Sequence, residues 1–363
     1  MMTHRRLSSQ RQILSPSAAD APQGGPGAHF QFHRTFAPHV VLAIAIGLAA
    51  PACAVAEPPP SLSLPITCTI GATCYVQSYV DIDPGPTARD FSCGTATYEG
   101  HNGIDFRLHS AAQARDAVDV KAAADGVVKA VRDGVEDNLF PPRDPGRECG
   151  NGVVIDHGDG WETQYCHLKR NSIVVSRGDR VARGKALGLV GFSGLAEFAH
   201  LHFSVRHNSV IVDPFAPFAK PGECAPSAAG RGLWDAATAD VLKYSPSQLI
   251  DIGFTDQQPE VSDFEKEHVR TSPTQTSTTL LLFARFINLQ KDDKVAISIV
   301  GPNGFTVERI TKPLEHSKAT YIAFAGKRRR NESWQSGLYS ARVELIRGDT
   351  RPIRRTTELI LNP

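Results

Sequence analysis

The sequence has no excess of charge of either sign. Its 363 residues contain 39 lysines and arginines against 38 aspartates and glutamates, a net charge of +1. A chain-wide polyelectrolyte role, such as general binding of nucleic acid, is therefore excluded. Apolar residues are not scarce, because 41% of the chain is hydrophobic and only 21% is charged. This composition excludes disordered and fibrous proteins and predicts a folded chain, with a length suited to about two domains.

The N-terminal apolar run is too short to span a bilayer. It extends over residues 40–50 and follows a polar stretch that contains several arginines. A run of about a dozen apolar residues after a basic region is typical of a signal peptide. Ala54-Val55-Ala56 supplies a small-x-small cleavage site, so we expect residues 1–56 to be a signal peptide with a long polar n-region. The mature protein would then be periplasmic or extracellular, without a transmembrane segment. An uncleaved membrane anchor and a lipoprotein modified at Cys53 are the alternatives.

The cysteines lack any C-x-x-C spacing, which makes a zinc–thiolate site a weak interpretation. Removal of residues 1–56 leaves six cysteines, and an even number in an exported chain predicts three disulfides. Cys68 and Cys74 flank a tight loop and form the first expected pair. For the four others we expect Cys93–Cys149 and Cys166–Cys224.

Short apolar runs separated by glycine turns predict a mainly β fold. We expect a Pro/Ser linker at 57–65, a β-rich domain with an antiparallel sheet and an open groove at 66–225, and a connecting segment at 226–275. In residues 276–363, apolar and polar residues alternate as they do in strands, and no helical period is present. This C-terminal part is expected to form an antiparallel, immunoglobulin-like β-sandwich.

These parts carry net charges of opposite sign, which nearly cancel over the whole chain. Residues 276–363 contain 15 basic and 8 acidic residues, net +7, whereas residues 57–275 contain 20 basic and 29 acidic residues, net −9. The densest basic cluster is Lys327-Arg328-Arg329-Arg330. A solvated loop is the simple interpretation, and contact with an anionic polymer of the cell envelope is the alternative.

Three polar patterns in the β-rich domain carry chemistry: His101-Asn102-Gly103-Ile104-Asp105, Tyr165-Cys166-His167-Leu168 and His200-Leu201-His202. Two histidines at i and i+2 of a strand point to the same face. A catalytic zinc ion takes a few nitrogen and oxygen ligands and keeps one position open. His101, Asp105 and one of the two histidines His200 and His202 satisfy that count. The sequence lacks an H-E-x-x-H motif, so a histidine must serve as the base.

Together, these motifs resemble those of the lysostaphin/LytM-type zinc metallopeptidases, cell-wall peptidases of the duplicated hybrid motif fold. The resemblance covers residues 100–218 and includes His-x-Gly-x-Asp, Tyr-x-His-Leu and His-Leu-His-Phe, as well as segments 120–128 and 177–184. One departure stands just before His200. The family usually has Ser/Thr-Gly-Pro there, and this chain has Glu197-Phe198-Ala199, which concerns substrate specificity more than metal binding.

The resemblance implies a role for each polar residue. His101, Asp105 and His202 would hold one Zn²⁺ per chain, and His167 and His200 would be the catalytic histidines. The implied reaction is hydrolysis of amide bonds in stem or cross-link peptides of peptidoglycan. Two alternatives stay open: a zinc peptidase that acts on secreted protein substrates, and a non-catalytic activator of cell-wall amidases. The presence of all five polar side chains argues against the second.

Overall fold

Strands dominate the part of the chain that the structure describes. The computed structural model describes residues 58–225, 232–258, 260–266, 272–330 and 332–363. The predicted signal peptide, including Cys53, lies outside these residues. The strands are β1 (Cys74–Ser78), β2 (Ile104–Leu108), β3 (Asp119–Lys121), β4 (Gly126–Arg132), β5 (Asn151–Gly158), β6 (Trp161–Leu168), β7 (Arg180–Val181), β8 (Ala186–Leu189), β9 (His200–His207), β10 (Val210–Val212), β11 (Gln248–Thr255), β12 (Thr279–Leu289), β13 (Lys294–Gly301), β14 (Phe305–Ile310), β15 (Lys318–Arg328), β16 (Gly337–Arg347) and β17 (Thr350–Leu361).

Helices are few and short. They are α1 (Ala111–Arg115), α2 (Ala236–Val241) and α3 (Val261–Glu265), with a 3₁₀ turn at Pro302–Gly304. The Asp235 side chain caps α2 by accepting a hydrogen bond from the Thr238 N–H at 2.8 Å. None of the helices within the described ranges has both the length and the apolar character needed to cross a membrane.

The first part of the chain is built on one large antiparallel sheet. Its strand order is β1-β2-β9-β6-β5-β4-β7, with β10 added to β9, and β3 and β8 form a small second sheet. The hydrophobic core on one face of the large sheet includes Ile104, Phe106, Leu201 and Phe203, none of them exposed. Because side chains alternate along a strand, the polar residues between them lie on the opposite face. The mainly β prediction is confirmed.

The second part consists of two sheets that share one hydrophobic core. Their orders are β11-β12-β15 and β14-β13-β16-β17, and the core draws side chains from both. The sequence Pro302-Asn303-Gly304 forms a hairpin turn between β13 and β14, as expected from its turn residues, and Asn303 adopts a φ of 52°. The immunoglobulin-like assignment stays a prediction.

The predicted connecting segment needs a correction. Residues 248–255 lie inside it, yet they form strand β11, which pairs with β12 from Gln248↔Ile287 to Thr255↔Leu281. The sandwich therefore begins before residue 276. At the other end of the segment, Trp234 and Leu242 pack into the core of the first part. Ile250, Ile252 and Phe254 alternate with Asp251, Gly253 and Thr255, so the sequence did carry the period of a strand here, and the prediction of a connecting segment overlooked it.

The disulfide pattern confirms one prediction and overturns two. Cys68–Cys74 forms as expected, but the other bridges are Cys93–Cys224 and Cys149–Cys166. Cys149 precedes β5, and Cys166 lies on the neighbouring strand β6. Antiparallel neighbours bring these two side chains together, which excludes the expected Cys93–Cys149 and Cys166–Cys224 bridges.

Candidate metal centre

Strand register brings three potential metal ligands together. Strands β2 and β9 are antiparallel, and Asp105 lies directly opposite His202. His101 stands four residues before Asp105, at the end of the loop that leads into β2. The ligand atoms of the three side chains lie within 4.8 Å of one another, and all three residues are buried. This cluster could hold a metal ion.

The donor atoms of the cluster face one another closely. His101 Nε2 lies 3.1 Å from Asp105 Oδ2 and 3.2 Å from His202 Nδ1. His202 Nδ1 in turn lies 2.9 Å from Asp105 Oδ1. Two imidazole nitrogens and a carboxylate are a donor set that suits zinc and related transition metals.

The outer hydrogen bonds determine which ring nitrogens carry hydrogen. His101 Nδ1 lies 2.6 Å from the Tyr79 carbonyl oxygen, to which it must donate, because a carbonyl only accepts. His202 Nε2 lies 3.0 Å from both Asn102 Oδ1 and Ser204 Oγ. The inner nitrogens of both rings are thereby left with free lone pairs that face each other and a carboxylate. In the neutral form of both rings, a cation among the three groups would satisfy these lone pairs and the carboxylate together, so the residues fit a metal ion.

A glycine makes room for this cluster. A Cβ atom on Gly103 would lie 2.6 Å from His202 Nε2 and 2.7 Å from the Phe203 carbonyl oxygen, closer than real Cβ atoms approach. The glycine of the His-x-Gly-x-Asp motif is therefore required by the close approach of strand β9.

His167 reaches the cluster through a β-bulge. The β5–β6 register shifts between Asn151↔Leu168 and Val153↔Tyr165, so two residues of β6 oppose one residue of β5. His167 sits in this bulge with a φ of 62°, in the left-handed region that non-glycine residues seldom adopt. Under strict alternation from Tyr165, which points into the core, His167 would point there too. The bulge turns it to the polar face of the sheet.

Two further imidazoles adjoin the cluster with one nitrogen free. His167 donates from Nδ1 to the Ser193 carbonyl oxygen at 2.8 Å, and His200 donates from Nδ1 to the Phe198 carbonyl oxygen at 2.8 Å. The two ring centroids are 4.5 Å apart, and His200 Nε2 lies 3.6 Å from Asp105 Oδ1. Each ring therefore keeps its Nε2 available as a proton acceptor.

Burial and charge tune these groups in opposite directions. Burial would lower the pKa of His101, but the charge of Asp105 and hydrogen bonds outweigh burial and raise it. Burial would raise the pKa of Asp105, but the surrounding imidazoles hold it well below its usual range. Burial and the neighbouring rings depress the pKa of His167, and burial lowers that of His200 and lowers that of His202 to about 4. His167 and His200 are therefore neutral near pH 7 and able to accept a proton.

Comparison with known proteins agrees with this geometry. Residues 99–214 match the sequence profile of peptidase family M23. The chain contains an M23 peptidase domain. The match confirms the resemblance to lysostaphin/LytM-type peptidases, and the whole of the three-residue cluster lies within it.

The relatives are similar to only part of this chain. The DD-carboxypeptidase/endopeptidase Mpg of Neisseria meningitidis serogroup B is 35% identical over 118 residues, which are 32% of this chain and 23% of that protein. The peptidoglycan DD-endopeptidase ShyA of Vibrio cholerae is 34% identical over 105 residues, 29% of this chain and 20% of that protein. The chain thus matches less than a quarter of the length of these relatives. A crystal structure of a zinc-containing peptidase from Vibrio cholerae aligns with 41% of each chain at 27% identity and a TM-score of 0.26.

The M23 domain gathers all five side chains named from the sequence. His101, Asp105 and His202 form the donor cluster, and His167 and His200 lie beside it with their rings in contact. Of the two histidines that the residues alone left open, His202 is the one that the register places opposite Asp105 and within the donor cluster. That choice agrees with the one implied by the family resemblance.

Sequence reasoning missed the groups that orient the M23 site. Ser204 could have been found, because it lies two residues after His202 on the same face of β9. Asn102 lies inside the first motif but was not singled out. The Tyr79 and Ser193 carbonyl groups come from distant parts of the chain, and backbone acceptors leave no signal in residue type.

Proposed function

We propose that this chain is an exported zinc metalloendopeptidase that hydrolyses amide bonds in the stem or cross-link peptides of peptidoglycan. The observation that carries the proposal is the buried donor cluster of His101, Asp105 and His202 beside two neutral imidazoles that each keep a free Nε2. The domain's family and the printed names of its relatives, a peptidoglycan DD-endopeptidase among them, support the substrate class.

The mechanism assigns the proton transfers to the two imidazoles. Bound zinc would supply a Lewis acid that polarises the scissile carbonyl and lowers the pKa of water to about 7. One of the two imidazoles, His167 or His200, accepts the proton of the attacking water at Nε2. The imidazolium so formed hydrogen-bonds to the oxyanion that develops and returns the proton to the leaving amine. Each ring is held for this task by its Nδ1–H hydrogen bond to a backbone carbonyl.

The disulfides support the proposed export of the protein. An oxidising compartment is needed to form the bridges Cys68–Cys74, Cys93–Cys224 and Cys149–Cys166, which agrees with a periplasmic or extracellular site. The net charge of +7 on residues 276–363 supports a second element of the proposal, attraction of the C-terminal part to an anionic envelope polymer. Lys327, Arg328 and Arg330 are exposed there.

Two sets of variants test the proposal. His101→Ala, Asp105→Ala and His202→Ala each remove a ligand, so we expect loss of the single zinc ion in metal analysis. His167→Ala and His200→Ala should retain zinc and lose activity ~10²–10⁴-fold. His316→Ala, an exposed histidine of the second part, is the matched control and should be unaffected.

The substrate is tested separately from the metal. Purified peptidoglycan and casein are digested side by side with the intact enzyme, and a chelator with zinc add-back shows the metal dependence. Release of peptides from peptidoglycan alone supports the proposal. Cleavage of casein alone would indicate a peptidase of secreted proteins, and cleavage of neither, with zinc bound, would indicate the amidase activator.

A further inference from the structure

A buried arginine lies next to the donor cluster on the same face of the sheet. Arg107 follows Asp105 by two residues on β2, and the β2–β9 register places it opposite His200. Its side chain is fully buried, and Nη2 donates to Glu265 Oε1 at 2.7 Å. A charged group is rarely buried so completely unless it is paired, so its contacts indicate its role.

Arg107 holds the residue that orients His200. Its guanidinium lies 4.5 Å above the centroid of the Phe198 ring. The Phe198 ring also contacts the His200 ring, with 4.5 Å between the two ring centroids, and the Phe198 carbonyl accepts the His200 Nδ1–H. The Phe198 ring thus packs against both Arg107 and His200, and the Phe198 backbone carbonyl holds the Nδ1–H tautomer of His200.

The partner of Arg107 comes from the other part of the chain. Glu265 is the last residue of α3, which lies in the connection between strands β11 and β12. These strands are antiparallel neighbours, which a tight turn could join. Helix α3 stands in that connection instead, and the buried carboxylate of Glu265 pairs with Arg107 of strand β2 in the M23 domain.

A second arginine makes the carboxylate a bridge between the two parts. Arg285 of β12 also donates to Glu265 Oε1, and its Nη1 donates to the His109 carbonyl oxygen at 2.9 Å. All three charged side chains are at most 2% exposed. One anion thus serves two cations, so removal of the Glu265 charge would leave two guanidinium groups buried without compensation.

We propose that Glu265 is a positioning residue for the peptidase site. It fixes the Arg107 guanidinium, which orders Phe198 and thereby the His200 imidazole. The C-terminal sandwich is then part of the working unit of the enzyme, because its β11–β12 connection supplies the anion. The inference rests on the proposed function for its kinetic test and on the site geometry alone for its spectroscopic test.

The first experiment neutralises the anion in the full-length mature protein. Glu265→Gln keeps an oxygen acceptor for Arg107 and removes the charge. We expect kcat on a soluble stem-peptide substrate to fall ~10-fold or more, because small misplacements of reacting groups are costly, with KM changed less than about twofold. Zinc content should stay at the wild-type level, because Glu265 contacts none of the three donors. Glu308→Gln, the same change at an exposed position of β14, is the matched control.

Two further variants separate positioning from simple packing. Phe198→Leu removes the ring contacts with His200 and with the Arg107 guanidinium but keeps the Arg107–Glu265 ion pair, and it should show the same fall in kcat. Arg285→Met leaves Arg107 and Glu265 as a one-to-one pair, and it should keep kcat within about twofold of wild type. If Glu265→Gln does not fold, these two variants decide the outcome. A normal kcat in Phe198→Leu, or a fall in Arg285→Met equal to that in Phe198→Leu, would overturn the inference.

The spectroscopic test does not depend on turnover. Long-range ¹H–¹⁵N spectra of the histidine rings in the metal-free protein report the tautomer of each imidazole. Wild type should show His200 with hydrogen on Nδ1, and Phe198→Leu and Glu265→Gln should show a mixture of tautomers. An unchanged single tautomer in a folded variant would overturn the inference even if the protein proves not to be a peptidase. Absence of turnover in wild type would instead overturn the proposed function alone.

Discussion

Substitution of Gly103 by alanine tests how the fold constrains the metal centre. The added methyl group would lie 2.6 Å from His202 Nε2, 2.7 Å from His202 Cε1 and 2.7 Å from the Phe203 carbonyl oxygen. The first two atoms belong to a metal ligand, and the third belongs to the backbone of the adjacent strand β9. None of them is the free end of a flexible side chain, so the strand or the ring must move.

The cost can be divided between the fold and the site. Overpacking of a well-packed interior typically costs ~1–3 kcal/mol. Displacement of the His202 ring also disturbs the hydrogen bonds from its Nε2–H to Asn102 and Ser204. Loss of such outer contacts typically lowers metal affinity ~10–100-fold. We therefore expect Gly103→Ala to stay folded, with a reduced unfolding free energy and clearly weaker zinc binding.

Zinc affinity is measured by competition with a chromophoric chelator and stability by urea unfolding of the metal-free protein. Gly85→Ala is the control, because the nearest atom to its Cβ is a side-chain oxygen of Asp83 at 3.1 Å and no atom of the three donors lies within 4 Å of it. Wild-type zinc affinity in Gly103→Ala would refute the argument that close strand approach dictates this glycine. A loss of stability with unchanged affinity would place the strain in the sheet rather than in His202.

The remaining predictions concern the disulfide beside the site, a buried carboxylate and the domain boundary. Replacing Cys149 and Cys166 by serine should lower the unfolding free energy, measured in urea, by ~3 kcal/mol. It should also lower kcat with zinc retained, because Cys166 precedes His167 and the Cys149 carbonyl accepts the His167 N–H at 2.8 Å. An unchanged kcat in a variant that urea unfolding shows to be folded would contradict this. Burial, with help from Asp90, raises the pKa of Asp213 to about 7, so the folded protein keeps a proton that the unfolded chain releases near pH 4. Stability should therefore fall from about pH 4 to pH 7, and Asp213→Asn should remove on the order of 4 kcal/mol of that fall in unfolding titrations; parallel pH profiles of both proteins would refute it. A chain that ends near residue 272 keeps β11 without its partner β12, so it should give less soluble protein than a chain that ends near residue 246, before β11. Equal yields would contradict the strand pairing.

Local patterns in the sequence indicated the members of the donor cluster, and the family resemblance selected His202 among them. Side chains at i and i+2 of a strand share a face, which places His200 and His202 together whatever the rest of the fold does. Asp105 lies on an adjacent strand, so strand pairing alone brings it opposite His202. The C-terminal strands were also predictable, since most alternate apolar and polar residues and the turn Pro302–Gly304 separates two of them.

Long-range features could not be predicted in the same way. The bulge at His167 depends on the pairing of β5 with β6, and neither strand carries a local sign of a register shift. The bridges Cys93–Cys224 and Cys149–Cys166 depend on which strands become neighbours, so spacing along the chain does not determine them. The Tyr79 and Ser193 carbonyl groups act through the backbone, which is the same for every residue type.

The buried ion cluster shows why the division into a catalytic part and a connecting segment was too simple. Read as sequence, Glu265 is one acidic residue among many in a polar stretch, and Arg107 is an ordinary charged residue after the Asp105 motif. The fold buries both and adds Arg285 from the sandwich, so that a single carboxylate compensates a cation on each side. A buried ionic contact of this kind contributes little net stability compared with apolar packing, but it tolerates few alternative arrangements. Its position beside Phe198 and His200 therefore favours a role in holding the site in one geometry over a role in holding the two parts of the chain together.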